Sequence, residues 1–211
     1  VCAMLTCGGT VFYRPKDKQV HADNAHNNFH RGNVGDHVAL MNVYNSWRDS
    51  GHSTQWCYEN FVQIRELKRA RDIRDQLVGL MERVEIDLRS DSSAHEQIKK
   101  SITAGYFYHT AQLQKNGSYR TVKNPQTVHI HPGSGMREQL PRWVVYHELV
   151  LTSKEYMRSV TEIGSEWLVE IAPHYYDKSV VAGDEAGSKG APKGKGRSSL
   201  QGVAQVYSTV K

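Results

Sequence analysis

The stretch Trp143-Val-Val-Tyr-His-Glu-Leu-Val-Leu151 is rich in β-branched and aromatic residues, and Tyr156 to Ile163 repeats that character after the turn candidate Thr152-Ser153-Lys154. Such residues suit a pleated, half-buried backbone, so two strands joined by a tight turn are predicted. Upstream, Tyr119, Thr121 and Lys123 alternate with Arg120 and Val122 until Pro125 breaks the run. Val128 and Ile130 then alternate with Thr127, His129 and His131 before Pro132-Gly133. Several short strands with turns between them indicate a small barrel or sandwich. Downstream, Ser165 caps a short helix that turns Trp167, Leu168 and Ile171 inward and stops at Pro173.

Before this β segment the period is helical. Asp36 is the expected N-cap of a helix carrying Leu40, Met41, Tyr44 and Trp47, closed near Gly51. Ser53 or Thr54 offers the next cap. Trp56, Phe61, Ile64, Leu67, Ile73, Leu77, Leu80, Val84 and Leu88 follow close to a 3.6-residue period, as one long helix or two broken near Asn60. A further helix is expected over about 96–111, with Ile98, Ile102 and Tyr106 on one face. At the start, Val1–Leu5 is short and apolar, and Thr10-Val-Phe-Tyr13 reads as a strand with nothing upstream to pack on. The chain does not begin with Met and opens inside an apolar stretch, which predicts a piece of a longer protein.

Composition narrows the class. The net charge of +5 suits a polyanionic partner, although many proteins carry such a charge without one. Cys2, Cys7 and Cys57 lack metal-ligand spacing and predict reduced thiols rather than a disulfide framework. No apolar run reaches the length of a membrane-spanning helix. From 177 to 211 there are six Lys or Arg against three Asp or Glu, with five glycines between 183 and 199. Such a segment buries too little apolar surface to offset its ordering entropy, and a disordered basic tail is expected there.

Several blocks then fall in a recognisable order. Gly35-Asp-His-Val-Ala-Leu-Met-Asn-Val-Tyr-Asn-Ser-Trp47 resembles the start of the helicase-associated domain of DEAH-box RNA helicases. Gln55-Trp-Cys-Tyr-Glu-Asn-Phe61 resembles the next family block, and Arg65 to Leu77 the long helix after it. Similarity continues through Gly105-Tyr-Phe107, Thr121-Val-Lys123, His131-Pro132, Tyr146-His-Glu-Leu-Val-Leu-Thr-Ser-Lys154 and Trp167 to Tyr176. Any one block is weak; the ordered set is specific. Phe12-Tyr-Arg-Pro-Lys-Asp-Lys18 and Val20-His-Ala-Asp23 look most like the splicing members.

The resemblance implies an α+β layout: a helical ratchet-like domain followed by a small OB-like β-barrel. Residues 1–18 would end a winged-helix domain, 19–105 form the ratchet-like domain, 106–176 the OB-fold, and 177–211 the basic tail. It further implies a nuclear location and single-stranded RNA or pre-mRNA, spliceosomal proteins and a G-patch adaptor as partners, the adaptor docking mainly on the parent protein. The parent would hydrolyse ATP with Mg. This chain has neither a G-x-x-x-x-G-K-[ST] loop nor a D-E-A-H box, so no cofactor and no ATPase activity are expected of it by itself.

Candidate RNA contacts are Arg65 and Arg69 on the long helix, and Tyr119, Arg120, Lys123, His129, His131 and Lys154 in the β segment. Barrels of this type stack bases on aromatics and pair phosphates with cations. Each residue also has a plainer reading. Arg65 and Arg69 sit among Glu66, Asp72 and Asp75, as on a solvated face. Tyr119 suits barrel packing, and His131 before Pro132 suits a turn. His129, His131 and His147 invite a metal, but no cysteine completes a zinc set, so none is expected. A free-standing OB-fold protein binding single strands, and a protein-interaction module without RNA binding, remain alternatives.

Overall fold

The computed structural model describes residues 1–7, 11–91 and 94–177. The predicted basic tail therefore lies, beyond Asp177, outside the described residues. Among the described residues, seven helices and five strands follow one another as α1 (Cys2–Thr6), α2 (Gln19–Phe29), α3 (Asp36–Asp49), α4 (Thr54–Glu59), α5 (Ile64–Arg83), α6 (His95–Tyr106), β1 (Thr110–Leu113), β2 (Tyr119–Thr121), β3 (Thr127–Ile130), β4 (Trp143–Leu151), β5 (Glu155–Glu162) and α7 (Ser165–Ile171).

The strands close a barrel in the order β1-β2-β3-β5-β4. The β4–β5 hairpin forms as predicted, with Tyr146 opposite Val160 and Glu148 opposite Arg158. β3 and β5 run parallel, joining His129 to Tyr156. β1 closes the barrel, because Ala111 pairs with both Thr121 and Val144. The expected helix over 96–111 thus stops at Tyr106. A four-residue strand carries too little pattern to announce itself, and pairing with β2 and with the distant β4 decides it. Met136, from the segment between β3 and β4, is buried among Ala111, Tyr119, Val128, Val144, Met157 and Val160 in the barrel core.

β4 works on both faces. Val144 and Tyr146 point into the barrel, while Trp143 and Val145 point outward to Ile163, Leu168, Ala172 and Tyr176. This two-sided burial explains the unbroken apolar run Trp143-Val-Val-Tyr146. Ile102 and Tyr106 of α6 pack on that outer layer, so α6 joins α7 against the barrel. Tyr176 ties the layer down, bonding the Thr110 hydroxyl and the Phe107 carbonyl.

A separate core holds the first five helices together through Met4, Cys7, Phe29, Val43, Trp47, Cys57, Leu67 and Ala70. Four expectations are corrected here. Val1–Leu5 belongs to a helix rather than an unpacked piece, since Met4 and Ala3 are buried and α1 lies on α5. Of the predicted strand 10–13, the described residues show only a single bridge between Phe12 and Val62. α2 is absent from the sequence expectation because its buried side is only Ala22, His26 and Phe29 in an otherwise polar sequence. Finally, the apolar period of the long helix outlasts its packing: Leu80 is 49 % and Val84 63 % exposed. The break near Asn60 is real, with Ser53 accepting the Trp56 N–H as the cap of α4.

The helical unit and the barrel meet at the start of α3. Gly35, not Asp36, occupies the N-cap position, with φ of 85°. A Cβ there would stand 2.5 Å from Thr161 Oγ1, so only glycine lets α3 approach β5 this closely. Asp36 turns inward instead of capping. Its carboxylate accepts the Ser134 hydroxyl at 2.7 Å, the Gly135 N–H at 3.0 Å and the Val160 N–H at 2.8 Å. Burial pushes its carboxyl up from the usual range, against the pull of those three donors and of His30, whose ring stands 3.7 Å away. Beside it, His37 Nδ1 shares a hydrogen bond of 2.8 Å with Thr161 Oγ1.

Candidate nucleic-acid interface

The pleat sorts the barrel residues. Tyr119, Val128, Ile130 and Met157 point inward, and all are buried. Their neighbours therefore share the outer face, because successive side chains along a strand point to opposite sides. Arg120 stands opposite Thr127, His129 beside Tyr156, and Arg158 opposite Glu148. The Tyr156 ring lies between two imidazoles, with centroids 6.1 Å from His129 and 5.8 Å from His131. A partly exposed aromatic thus lies beside His129, His131 and Arg158, with Arg120 on the same outer face of β2. Arg158 Nη1 also pairs with Glu148 at 3.3 Å.

The predicted residues fall into three groups. Arg120, His129 and His131 come together on this face. The Gly133 N–H donates to His131 Nδ1 at 3.0 Å, which is the turn role expected of it. That bond leaves Nε2–H as the outward donor of the neutral ring. Burial, helped by the Arg158 charge, holds the His131 pKa below the ordinary histidine value. Lys154 is exposed in the β4–β5 turn, where the Thr152 N–H bonds the Lys154 carbonyl at 3.0 Å. Lys123 lies further round, its ammonium 5.4 Å from the centre of the Tyr108 ring.

Tyr119 is a correction. It is 1 % exposed, and its hydroxyl donates to the Pro141 carbonyl at 2.6 Å. Burial pushes that hydroxyl's pKa well up. A ring enclosed in the barrel cannot stack a base. The aromatic on the outer face is Tyr156, which is not among the residues expected from sequence. The parity of Tyr156-Met157-Arg158 is its signal, since Met157 marks the inward side.

Arg65 and Arg69 are exposed on α5, whose buried side serves the helical core, so they do not join the barrel face. Their neighbours Arg71 and Arg74 pair with the adjacent Asp72 and Asp75. Past His131 the outer face runs into a groove of about 750 Å³ between the barrel and the helical unit. There Arg14, Arg137 and Arg158 meet Asp23, Glu138 and Glu148, and the charges offset one another. The groove therefore offers phosphate little net attraction. Among the described residues no group of three or more His, Cys, Asp or Glu is placed to hold a metal ion.

The family model described as oligonucleotide/oligosaccharide-binding (OB)-fold matches residues 98–175. The match begins inside α6, spans all five strands and ends after α7, which is the part sharing the barrel and its outer layer. It fits the C-terminal region of a helicase, and OB-folds generally bind oligonucleotides.

Proposed function

We propose that this chain is a single-stranded-RNA-binding accessory region of a DEAH-box RNA helicase acting in pre-mRNA splicing. The observation that carries the RNA reading is the outer barrel face, where Tyr156 is flanked by His129 and His131, with Arg158 two residues on along β5 and Arg120 on β2 beyond β3. An aromatic offers a π-face to any base while cations meet the phosphates on either side, so binding tolerates sequence. The ordered family blocks of the sequence support the helicase and splicing part of the reading. The parent protein supplies ATP and Mg chemistry, works in the nucleus among spliceosomal proteins and takes its G-patch adaptor elsewhere on its surface. This region grips the strand.

The test is fluorescence anisotropy with a labelled RNA of about twelve nucleotides, a length within the reach of one OB-fold. Replacing Arg120 and Tyr156 of this face together by Ala is expected to remove most of the binding and flatten its salt dependence, by about 0.7 in log–log slope for every phosphate that is no longer neutralised. Unchanged binding at every salt concentration, with circular dichroism intact, would rule out this face.

A further inference from the structure

Arg65 and Arg69 belong to a second surface that the barrel does not explain. Where α4 meets α5, a slot of about 180 Å³ is lined by Tyr13, Cys57, Tyr58, Val62, Ile64 and Arg65, among others. A cavity of roughly 150 Å³ accepts a benzene ring, so this one has room for a nucleobase ring. Tyr13, Tyr58, Val62 and Ile64 make its aromatic and aliphatic part, with Thr54 and Gln63 adding polar groups beside Arg65. Tyr58 is 63 % exposed, unusually open for so large a ring, and Tyr13 packs edge-on against Phe61 at 5.8 Å. Among the described residues no carboxylate lines the slot.

Arg65 lines the slot, and Lys68 and Arg69 follow it as exposed cations on α5. Residues three and four apart share a helix face, so Arg65, Lys68 and Arg69 form one cluster at the start of α5. The slot is also held rigidly. Phe61 has φ of 53°, costly for a bulky residue. Three hydrogen bonds fix that turn: Tyr13 N–H to the Phe61 carbonyl at 3.1 Å, His26 Nε2 to the same oxygen at 3.1 Å, and Val62 N–H to the Cys57 carbonyl at 2.9 Å. Strained backbone kept in place by its surroundings collects at ligand clamps.

We infer that this slot is a second contact for single-stranded RNA, taking one base against Tyr58 and Tyr13 while Arg65, Lys68 and Arg69 meet the adjoining phosphates. The inference deepens the RNA-binding reading but uses residues remote from the barrel face, so the two stand or fall separately. A base without charge would gain from the tyrosines alone; a phosphorylated strand gains from both, which is why a nucleic acid fits better than an apolar peptide.

The experiment uses the full chain and an RNA of about twelve nucleotides carrying photoreactive 4-thiouridine. Tyr58→Ala is expected to lower affinity about five-fold or more, as one base loses its stacking partner. Tyr58→Phe should bind like the parent, since the ring remains. Arg65→Ala with Lys68→Ala should reduce the salt slope by about 0.7 for every phosphate that is no longer neutralised. Irradiation should attach RNA to the peptide spanning 54–65. Parental affinity in Tyr58→Ala and in the double variant, with no attachment at 54–65, overturns the inference; if the barrel variant still loses binding, the barrel reading survives. Loss in Tyr58→Ala with none in the barrel variant does the reverse. Displacement of the RNA by poly-glutamate as strongly as by unlabelled RNA would mark a protein-binding surface and overturn the inference too.

Discussion

Acid should weaken the junction between the helices and the barrel, and His37 should account for a defined share of the effect. Its side chain is fully buried, with Nδ1 engaged by Thr161 and Nε2 without a partner. Burial, with the nearby His147 charge adding to it, lowers its pKa from 6.5 to about 3. In the unfolded chain the same imidazole titrates at its ordinary value. Between the two values the unfolded state binds a proton that the folded state refuses. Stability from this group is therefore complete above pH 6.5 and is lost as the pH falls towards 3. The loss accumulates at about 1.4 kcal/mol per pH unit, hence about 2 kcal/mol by about pH 5. His37→Asn keeps an oxygen to accept the Thr161 hydroxyl but cannot titrate. Urea unfolding followed by circular dichroism at about pH 7 and about pH 5 gives the stability of parent and variant. The variant should be the weaker at neutral pH, having lost ring volume. The gap should narrow by about 2 kcal/mol at the lower pH, on the order of 1 M in urea midpoint. His26, His30, His109 and His131, all lowered by burial, contribute to both proteins and cancel in the difference. A gap that stays constant between the two pH values would refute the reasoning.

Asp36→Ala removes the acceptor of three hydrogen bonds from the barrel and should cost on the order of 3 kcal/mol or more, at about 1–3 kcal/mol for each donor left buried and unpaired; thermal unfolding measures it, and a negligible change would show that water replaces the carboxylate. Tyr119→Phe should cost about 1–2 kcal/mol through the Pro141 carbonyl and leave RNA affinity untouched, which separates packing from stacking. Val84→Lys should change stability by less than about 0.5 kcal/mol, because the side chain is exposed despite its place in the apolar period; a large loss by chemical denaturation would show that the residue is packed after all.

Elements whose pattern is strong and local were legible from the residues alone. Alternation and β-branched content marked β3, β4 and β5, while one long helix or two broken near Asn60 stayed open until the structure showed α4 and α5 apart. The polar residues of the outer face were also legible, since Arg120 and His129 lie in alternating strands. Tertiary structure decided the rest. β1 exists because the hairpin partner β2 on one side and the distant β4 on the other flank it, and α2 because its buried side finds a core that other helices provide. The exchange of Tyr119 for Tyr156 as the outward aromatic has the same origin. A pleated strand puts alternate residues on opposite faces, but which face is inside depends on how the barrel closes, and a one-residue change of parity reverses it. Asp36 shows the limit most directly. As a local signal it reads as a helix cap, yet the barrel presents three donors to it across 98 to 124 residues of chain, and those bonds outweigh the cap. Local periodicity reports how a segment lies; only the closed fold reports what stands opposite it.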